Sequence, residues 1–205
     1  MSIFSKLLGF KFKSEKEENP NQKDQSKFMP EEKLPTDENF MVNFKKNGGK
    51  FLYCSNKEEM LDTFYSILKE NDWNNEEGSP VCCFDENLKD TFKDFGLEFN
   101  KSSTSNFFLS TCEYLIANTG ALLISSNQIG EKKLNELPHD FIILAATSQL
   151  IDTIGEGLRG IKNKSKNKIP SNITTIKTFE DKKESDFMSY GSPSKNLYLL
   201  LLEDL

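Results

Sequence analysis

The sequence predicts an α/β fold, a mostly parallel sheet with helices on both faces, and three observations carry that expectation. Apolar segments of strand length alternate along the chain with segments of helical periodicity. Two of those strands, "VCCF" and "FIILAA", are apolar throughout. Between "NITTIKTF" and "NLYLLLLEDL" stands a polar connection long enough for a crossover that brings the next strand back parallel. The length, 205 residues, suits one domain with tails.

Taken in order, the chain opens with "MSIFSKLLGFKFK", where Ile3, Phe4, Leu7 and Leu8 share a helical face beside Lys6 and Lys11. Residues 1–12 read either as a frayed terminus or as a weak docking segment for a partner or a membrane surface. From Ser14 to Asn39 Lys, Glu, Asp, Asn, Gln and Pro dominate, too few apolar groups to offset the entropy of ordering the backbone. The expected organisation is therefore a disordered tail over 1–39 and an α/β domain over 40–205. "KFLYCS" is a strand entered from Gly48-Gly49. Asn56 with Glu59 three residues on has the form of a capping box, and Met60, Leu61, Phe64, Tyr65, Ile67 and Leu68 then recur at helical spacing. "VCCF" is a strand after Gly78-Ser79-Pro80. "ENLKDTFKDFG" is a helix with Leu88, Phe92 and Phe95 on one side and a glycine at its end.

In the second half, "YLIA" and "ALLIS" flank Asn118-Thr119-Gly120, the pattern of a tight hairpin whose glycine accepts a positive φ. After the strand "FIILAA", Thr147-Ser148 is expected to open a helix with Leu150, Ile151, Ile154, Leu158 and Ile161 as its core stripe. Gly155 and Gly157 lie inside that helix, each costing roughly 1 kcal/mol relative to alanine, which calls for close packing or the close approach of a ligand or subunit. The basic run "KNKSKNK" reads as a solvated loop at the edge away from the site.

Composition excludes some classes of function. A net charge of −6 disfavours affinity for nucleic-acid backbones, and no apolar run approaches the ~20 residues of a membrane-spanning helix. Nor does the N-terminus have the apolar core of a signal peptide, so a cytoplasmic protein is expected. Cys54, Cys82, Cys83 and Cys112 form no CxxC pair, so the expectation is no metal site and no cofactor held by the chain alone. Cys82 and Cys83 read as small hydrophobes in a strand. His139, the only histidine, has no Ser-His-Asp or Cys-His constellation that sequence can argue for. Glu156 and Glu203 are the carboxylates to consider as base or nucleophile.

One set of polar residues remains. In open α/β sheets ligands bind beyond the carboxyl ends of strands. Thr147 and Ser148 follow one strand, Ser125 to Gln128 follow "ALLI", and Tyr190 to Asn196 precede the last strand. The expectation is that Ser126 or Asn127, Ser148 and Lys195 line one concavity; otherwise Ser125 to Gln128 merely cover a sheet edge and Thr147-Ser148 merely cap a helix.

Three segments in order, "CEYLIANTGALLISS", "LNELPHDFIILAATSQLIDTIGEGL" and "YGSPSKNLYLLLLEDL", resemble the LUD-domain family of lactate-utilisation proteins (LutC/YkgG-like). The likeness covers Ser110 to Leu205 well and Phe40 to Ser105 loosely, and it describes a divergent member. It implies a fold like that of ribose-5-phosphate isomerase and CoA-transferases. It also implies an accessory role in oxidising lactate to pyruvate beside iron–sulfur, lactate-oxidising partner proteins, with no electron-carrying cluster in this chain. The alternative on the same fold is an enzyme or binder acting on a phosphorylated sugar or a CoA ester. Through the family's Thr-Gly and closing turns, Thr119, Gly120, Gly191, Lys195 and Asn196 join Ser126, Asn127, Thr147 and Ser148 as ligand-binding candidates. The chain departs from the family where a Gly-Pro-Ser-Arg-Thr-Ala-Asp-Ile-Glu stretch is usual: it has "TTIKTFEDKKESDF", without the arginine, so the pocket is expected to be altered.

Overall fold

The computed structural model describes residues 34–74, 78–165, 168–179 and 195–204. The chain divides into two units, Met1–Leu34 and Pro35–Leu205, and the second holds every element described below. The N-terminal segment and nearly all of the expected tail lie outside the described residues. The first helix among the described residues, α1 (Thr36–Lys46), begins ahead of the boundary expected at Phe40, because Phe40 and Phe44, one turn apart, are both fully buried by it.

A strand, β1 (Lys50–Cys54), leads into α2 (Lys57–Glu70). Asn56 is the N-cap: its side chain accepts from Glu59 N–H at 2.9 Å, a contact typically worth about 1 kcal/mol. The Glu59 carboxylate reaches one residue further back than a capping box requires, accepting from the Ser55 backbone N–H at 2.8 Å and from Ser55 Oγ at 2.6 Å. Met60, Phe64, Ile67 and Leu68 are buried, while Tyr65 on the expected face stays exposed. Next come β2 (Ser79–Cys82), α3 (Glu86–Thr91), a 3-10 turn ended by left-handed Gly96, β3 (Leu97–Asn100) and β4 (Phe107–Thr111). The hairpin follows as β5 (Tyr114–Ile116) and β6 (Ala121–Ile124), then a short helix α4 (Ser126–Ile129), and then β7 (Asp140–Ala146). The chain continues through β8 (Leu150–Ile151), α5 (Ile154–Lys164), β9 (Thr174–Ile176) and β10 (Asn196–Leu202).

Six strands form one sheet in the order β1-β10-β7-β4-β2-β3, with every neighbouring pair parallel. The hairpin is not part of it. With β8 and β9 it builds a second, four-stranded sheet, β8-β5-β6-β9, in which both pairings of β6 are antiparallel.

Alternation along the strands gives the main sheet two apolar faces. On one, Val81, Phe107, Leu109, Ile142, Tyr198 and Leu200 pack against Met60, Phe64, Ile67 and Leu68 of α2 and Leu88 of α3. On the other, α1 lays Phe40 and Phe44 against Phe51 of β1, and Phe84, Phe108 and Phe141 form a chain of ring contacts. Helices thus cover both faces, as expected. α1 also binds the second sheet: Asn43 Nδ2 donates to Ala117 O at 2.8 Å and Asn47 Nδ2 to Thr119 O at 2.7 Å. The face of that sheet bearing Tyr114, Ile116 and Leu123 is covered by Ile161 of α5.

The expectation of a helix opened by Thr147-Ser148 is corrected. Thr147–Gln149 is a 3-10 turn, Leu150–Ile151 is the edge strand β8, and the helix starts only at Ile154, capped by Thr153. Ile154 and Leu158 of the expected stripe are exposed, leaving Gly157 and Ile161 as the buried positions of α5. Helical spacing misled here because Leu150 and Ile151 pair with Leu115 and Ile116 instead of continuing the helix. The glycines divide in the same way. A Cβ at Gly157 would come within 2.8 Å of Leu123 and 2.9 Å of Ile151, so α5 lies directly on the second sheet, whereas Gly155 has no close neighbour. Among the described residues no helix is long and apolar enough to cross a membrane.

Candidate functional site

The main sheet has two rims, and the residues singled out in the sequence sort between them. In β7 about 20 Å separates Asp140 at the amino rim from Ala146 at the carboxyl rim. β10 runs parallel beside it, Asn196 level with Asp140 and Leu202 level with Ala146. Lys195 and Asn196 therefore stand at the amino rim, while Thr147 and Ser148 stand at the carboxyl rim. The proposed meeting of Lys195 with Ser148 is corrected, because Lys195 precedes β10 and Ser148 follows the parallel β7, which puts them at opposite rims. Lys195 is buried, its Nζ 2.8 Å from Pro138 O and over the Phe141 ring. Asn196 Nδ2 donates to Asp140 Oδ1 at 2.8 Å. Thr119 and Gly120 also fall near the amino rim: the hairpin tip is gripped by Asn47, which leads into β1. Gly191 and the rest of the closing turn lie outside the described residues.

The carboxyl rim keeps Ser126, Asn127, Thr147 and Ser148. β5 runs back along the main sheet, so its start, Glu113, lies at this rim together with the end of β6; Glu113 N–H donates to Leu123 O at 2.8 Å. Gln149 links this region to the turn after β7, its Nε2 donating to Cys112 O at 2.6 Å. Thr147 and Ser148 already hold an anion, and it belongs to the chain. Asp204 Oδ1 accepts from Thr147 Oγ1 at 2.8 Å and from Ser148 N–H at 2.9 Å, and Oδ2 from Ser148 Oγ at 2.6 Å. The Ser148 hydroxyl is the main cause holding the Asp204 carboxyl below the usual carboxylate range. These donors tie the end of β10 to the end of β7.

The second group at this rim centres on Glu113, a residue sequence reasoning passed over. Ser125 Oγ donates to Glu113 Oε1 at 2.6 Å, and Asn127 Nδ2 donates to the same oxygen at 2.8 Å. Ser125 is fully buried; it caps α4, and its own N–H donates to Gln128 Oε1 at 2.9 Å. Ser126 takes part through its backbone, donating to Ser171 O at 2.9 Å. Among the described residues Glu113 Oε2 accepts no hydrogen bond, and it is not fully buried. The signal in the sequence was the order Glu113, then Ser125 to Gln128 across a hairpin of known register.

The surroundings of Glu113 follow from the topology. After β2 the chain turns to the α2/α3 face, whereas after β4 it turns to the face that carries the second sheet. Neighbouring strands whose continuations leave on opposite faces open a crevice at their carboxyl ends. Phe84, just past β2, contacts Phe108 on the second-sheet side, with Gly130 against its ring and Lys101 Nζ 5.6 Å above it.

The other sequence candidates have structural tasks. Glu156 Oε2 accepts from Asp152 N–H at 3.1 Å at the start of α5, and Glu203 accepts from the Tyr53 hydroxyl. All four cysteines are free and buried. Burial raises every one of their thiol pKa values, pushing Cys83 up to about 11 and Cys112 further.

Comparison with known proteins accords with this architecture. The family model described as LUD domain matches residues 38–202, from α1 to the end of β10. The chain belongs to the LUD-domain family. The crystal structure of a DUF162 family protein from Deinococcus radiodurans matches with a TM-score of 0.57 at 12% identity, over 84% of this chain and 100% of that one, which supports the fold. No curated protein matches the chain. In this LUD-domain chain, β9 occupies the start of the stretch where the arginine-containing motif is usual, and there it serves as an edge strand paired with β6.

Proposed function

We propose that this LUD-domain protein is a cytoplasmic accessory protein of lactate oxidation, working beside an iron–sulfur, lactate-oxidising partner and carrying no electrons itself. The observation that carries the reading is the family match over nearly the whole folded unit, since the family is linked to lactate utilisation in general. The cysteine chemistry favours a role without a bound cluster: each thiol sits in the apolar core with its pKa raised, and ligation would require thiolates drawn out of it. On this reading the ligand-facing part of the protein is the carboxyl rim, with Ser126 and Asn127 of the residues first singled out, since the donors of Thr147 and Ser148 are taken by Asp204.

The test is genetic and biochemical. A deletion strain should grow poorly on lactate as sole carbon source, and the tagged protein should co-purify with an iron–sulfur protein. Normal growth on lactate together with no such partner would remove the basis of the reading. Iron–sulfur absorbance after anaerobic reconstitution of the purified chain would overturn its electron-free part.

A further inference from the structure

We propose that Asn47-Gly48 is a latent site of covalent modification, spontaneous deamidation to aspartate and isoaspartate, which the native contacts of the hairpin tip hold closed and local opening of α1 from the second sheet exposes. The inference is independent of the role in lactate oxidation. In an Asn-Gly pair the glycine nitrogen attacks the asparagine side-chain carbonyl carbon, unhindered because glycine has no Cβ. The attacking N–H proton passes to the departing amide nitrogen, which leaves as ammonia, and a cyclic imide closes. Water then opens the imide at either carbonyl. Water is the one co-reactant, and Asn47-Gly48 is the only Asn-Gly pair in the chain.

The structure shows why so labile a pair stands here. Gly48 has φ +88°, and a Cβ there would fall on Phe179 O, so glycine is required. Asn47 is as constrained: Nδ2 donates to Thr119 O at 2.7 Å and to Gly120 O at 3.3 Å, tying the end of α1 to the tip of the hairpin. The same contacts block the reaction. Gly48 N–H donates to Lys45 O at 3.0 Å, which turns the nucleophile into the helix end, and Asn47 O accepts from Phe179 N–H at 3.0 Å. Asn47 itself keeps near-helical torsions, φ −79° and ψ 3°. Closing the imide requires Asn47 to leave those torsions and release both carbonyls, so the reaction waits on local opening. Its product no longer fits. A carboxylate at position 47 offers no donor to Thr119 O and Gly120 O and sets negative charge against them. The isoaspartate form also adds a methylene to the main chain between α1 and β1.

The test incubates the full-length wild type in mildly alkaline buffer with and without denaturing urea and follows conversion at Asn47 by peptide mapping and mass spectrometry. Conversion should be at least about tenfold faster in urea, and on refolding the converted fraction should melt below the unconverted one. Asn47→Asp measures the damage directly, with Asn87→Asp, the same change at an exposed position in the first turn of α3, as the control. Asn47→Asp should lower Tm by about 2–12 °C and Asn87→Asp should leave it in place. Equal conversion rates in the two buffers, no conversion in urea, or a Tm for Asn47→Asp no lower than that of Asn87→Asp would each overturn the proposal. The rate comparison needs only wild-type protein, so it decides even where Asn47→Asp fails to fold.

Discussion

Two glycines of nearly equal φ make a matched experiment on how the second sheet is held. Gly96 has φ +66° and Gly120 has φ +62°, both in the left-handed region that a Cβ disfavours by roughly 1–2 kcal/mol. Their surroundings differ. A Cβ at Gly96 would meet nothing within 4 Å, whereas one at Gly120 would fall on the backbone between Asn43 and Phe44 of α1. That helix cannot yield cheaply, because Phe44 is fully buried and Asn43 and Asn47 bond the hairpin backbone from the same side. Gly96→Ala should therefore cost only the conformational term. Gly120→Ala should add an overpacking term of about 1–3 kcal/mol, for a total of about 2–5 kcal/mol. In a protein of this size 1 kcal/mol moves Tm by roughly 2–4 °C, so the losses should be about 2–8 °C and about 4–20 °C. Differential scanning calorimetry on the two single variants and the wild type measures the difference, with chemical denaturation as an independent check. Equal losses at the two positions would refute the close seating of the hairpin tip under α1.

Three further outcomes follow from the geometry. Asp204→Ala should lower stability by about 1 kcal/mol or less at pH 7, since the carboxylate is exposed. Because its folded pKa is depressed, that contribution is full above about pH 4 and fades as the pH falls through the folded value, so the Tm gap to wild type should close in acid; a gap that persists there would contradict the latch. Phe64→Ala should cost about 3–5 kcal/mol by urea denaturation, since the ring is fully buried with Phe92 at 4.1 Å and Phe95 at 5.3 Å; a loss under about 1 kcal/mol would rule out this packing. A soluble aromatic disulfide should leave the native thiols unmodified over minutes and modify all four in guanidinium, and fast native labelling of Cys82 or Cys83 would show the β2 end to be open.

Much of the layered fold was readable because strands and helices write different periods. "VCCF" and "FIILAA" became β2 and β7, and Met60, Phe64, Ile67 and Leu68 became the buried face of α2. What stayed hidden depended on non-local pairing. Leu150 and Ile151 fit a helical stripe as well as a strand, and only Leu115 and Ile116, far away in sequence, decide for the strand. Thr36 belongs to a helix in spite of a polar context, because two phenylalanines one turn apart find β1 to pack against. Ser126, Asn127 and Ser148 lie at one rim because each follows a strand that ends there. Lys195 was misplaced because the rim to which a strand delivers its flanking residues depends on whether they precede or follow it.

That rule also explains why Glu113 escaped notice while its partners did not. Sequence reasoning looks for polar residues after a strand, but the strand that Glu113 follows, β4, was not among those read from the sequence, and on its own hairpin Glu113 precedes β5 and so appears at the wrong end. The second sheet reverses the relation. β5 runs antiparallel to the main sheet, which brings its start to the rim where β4, β7 and β10 finish, and the antiparallel partner β6 ends there too. Hairpin register then brings Glu113 level with the end of β6, and Ser125 and Asn127 need no long loop to reach it. A hairpin folded back over a parallel sheet thus supplies the rim with side chains from both of its ends, and the tight turn at Gly120 fixes their alignment from the opposite rim. Loosening that turn should therefore disturb the Glu113 carboxylate even though Gly120 lies at the far rim. In the Gly120→Ala variant, at a temperature where it remains folded, the Glu113 carboxyl resonance should move, and in Gly96→Ala it should not. An unmoved resonance in Gly120→Ala would separate the turn from the site.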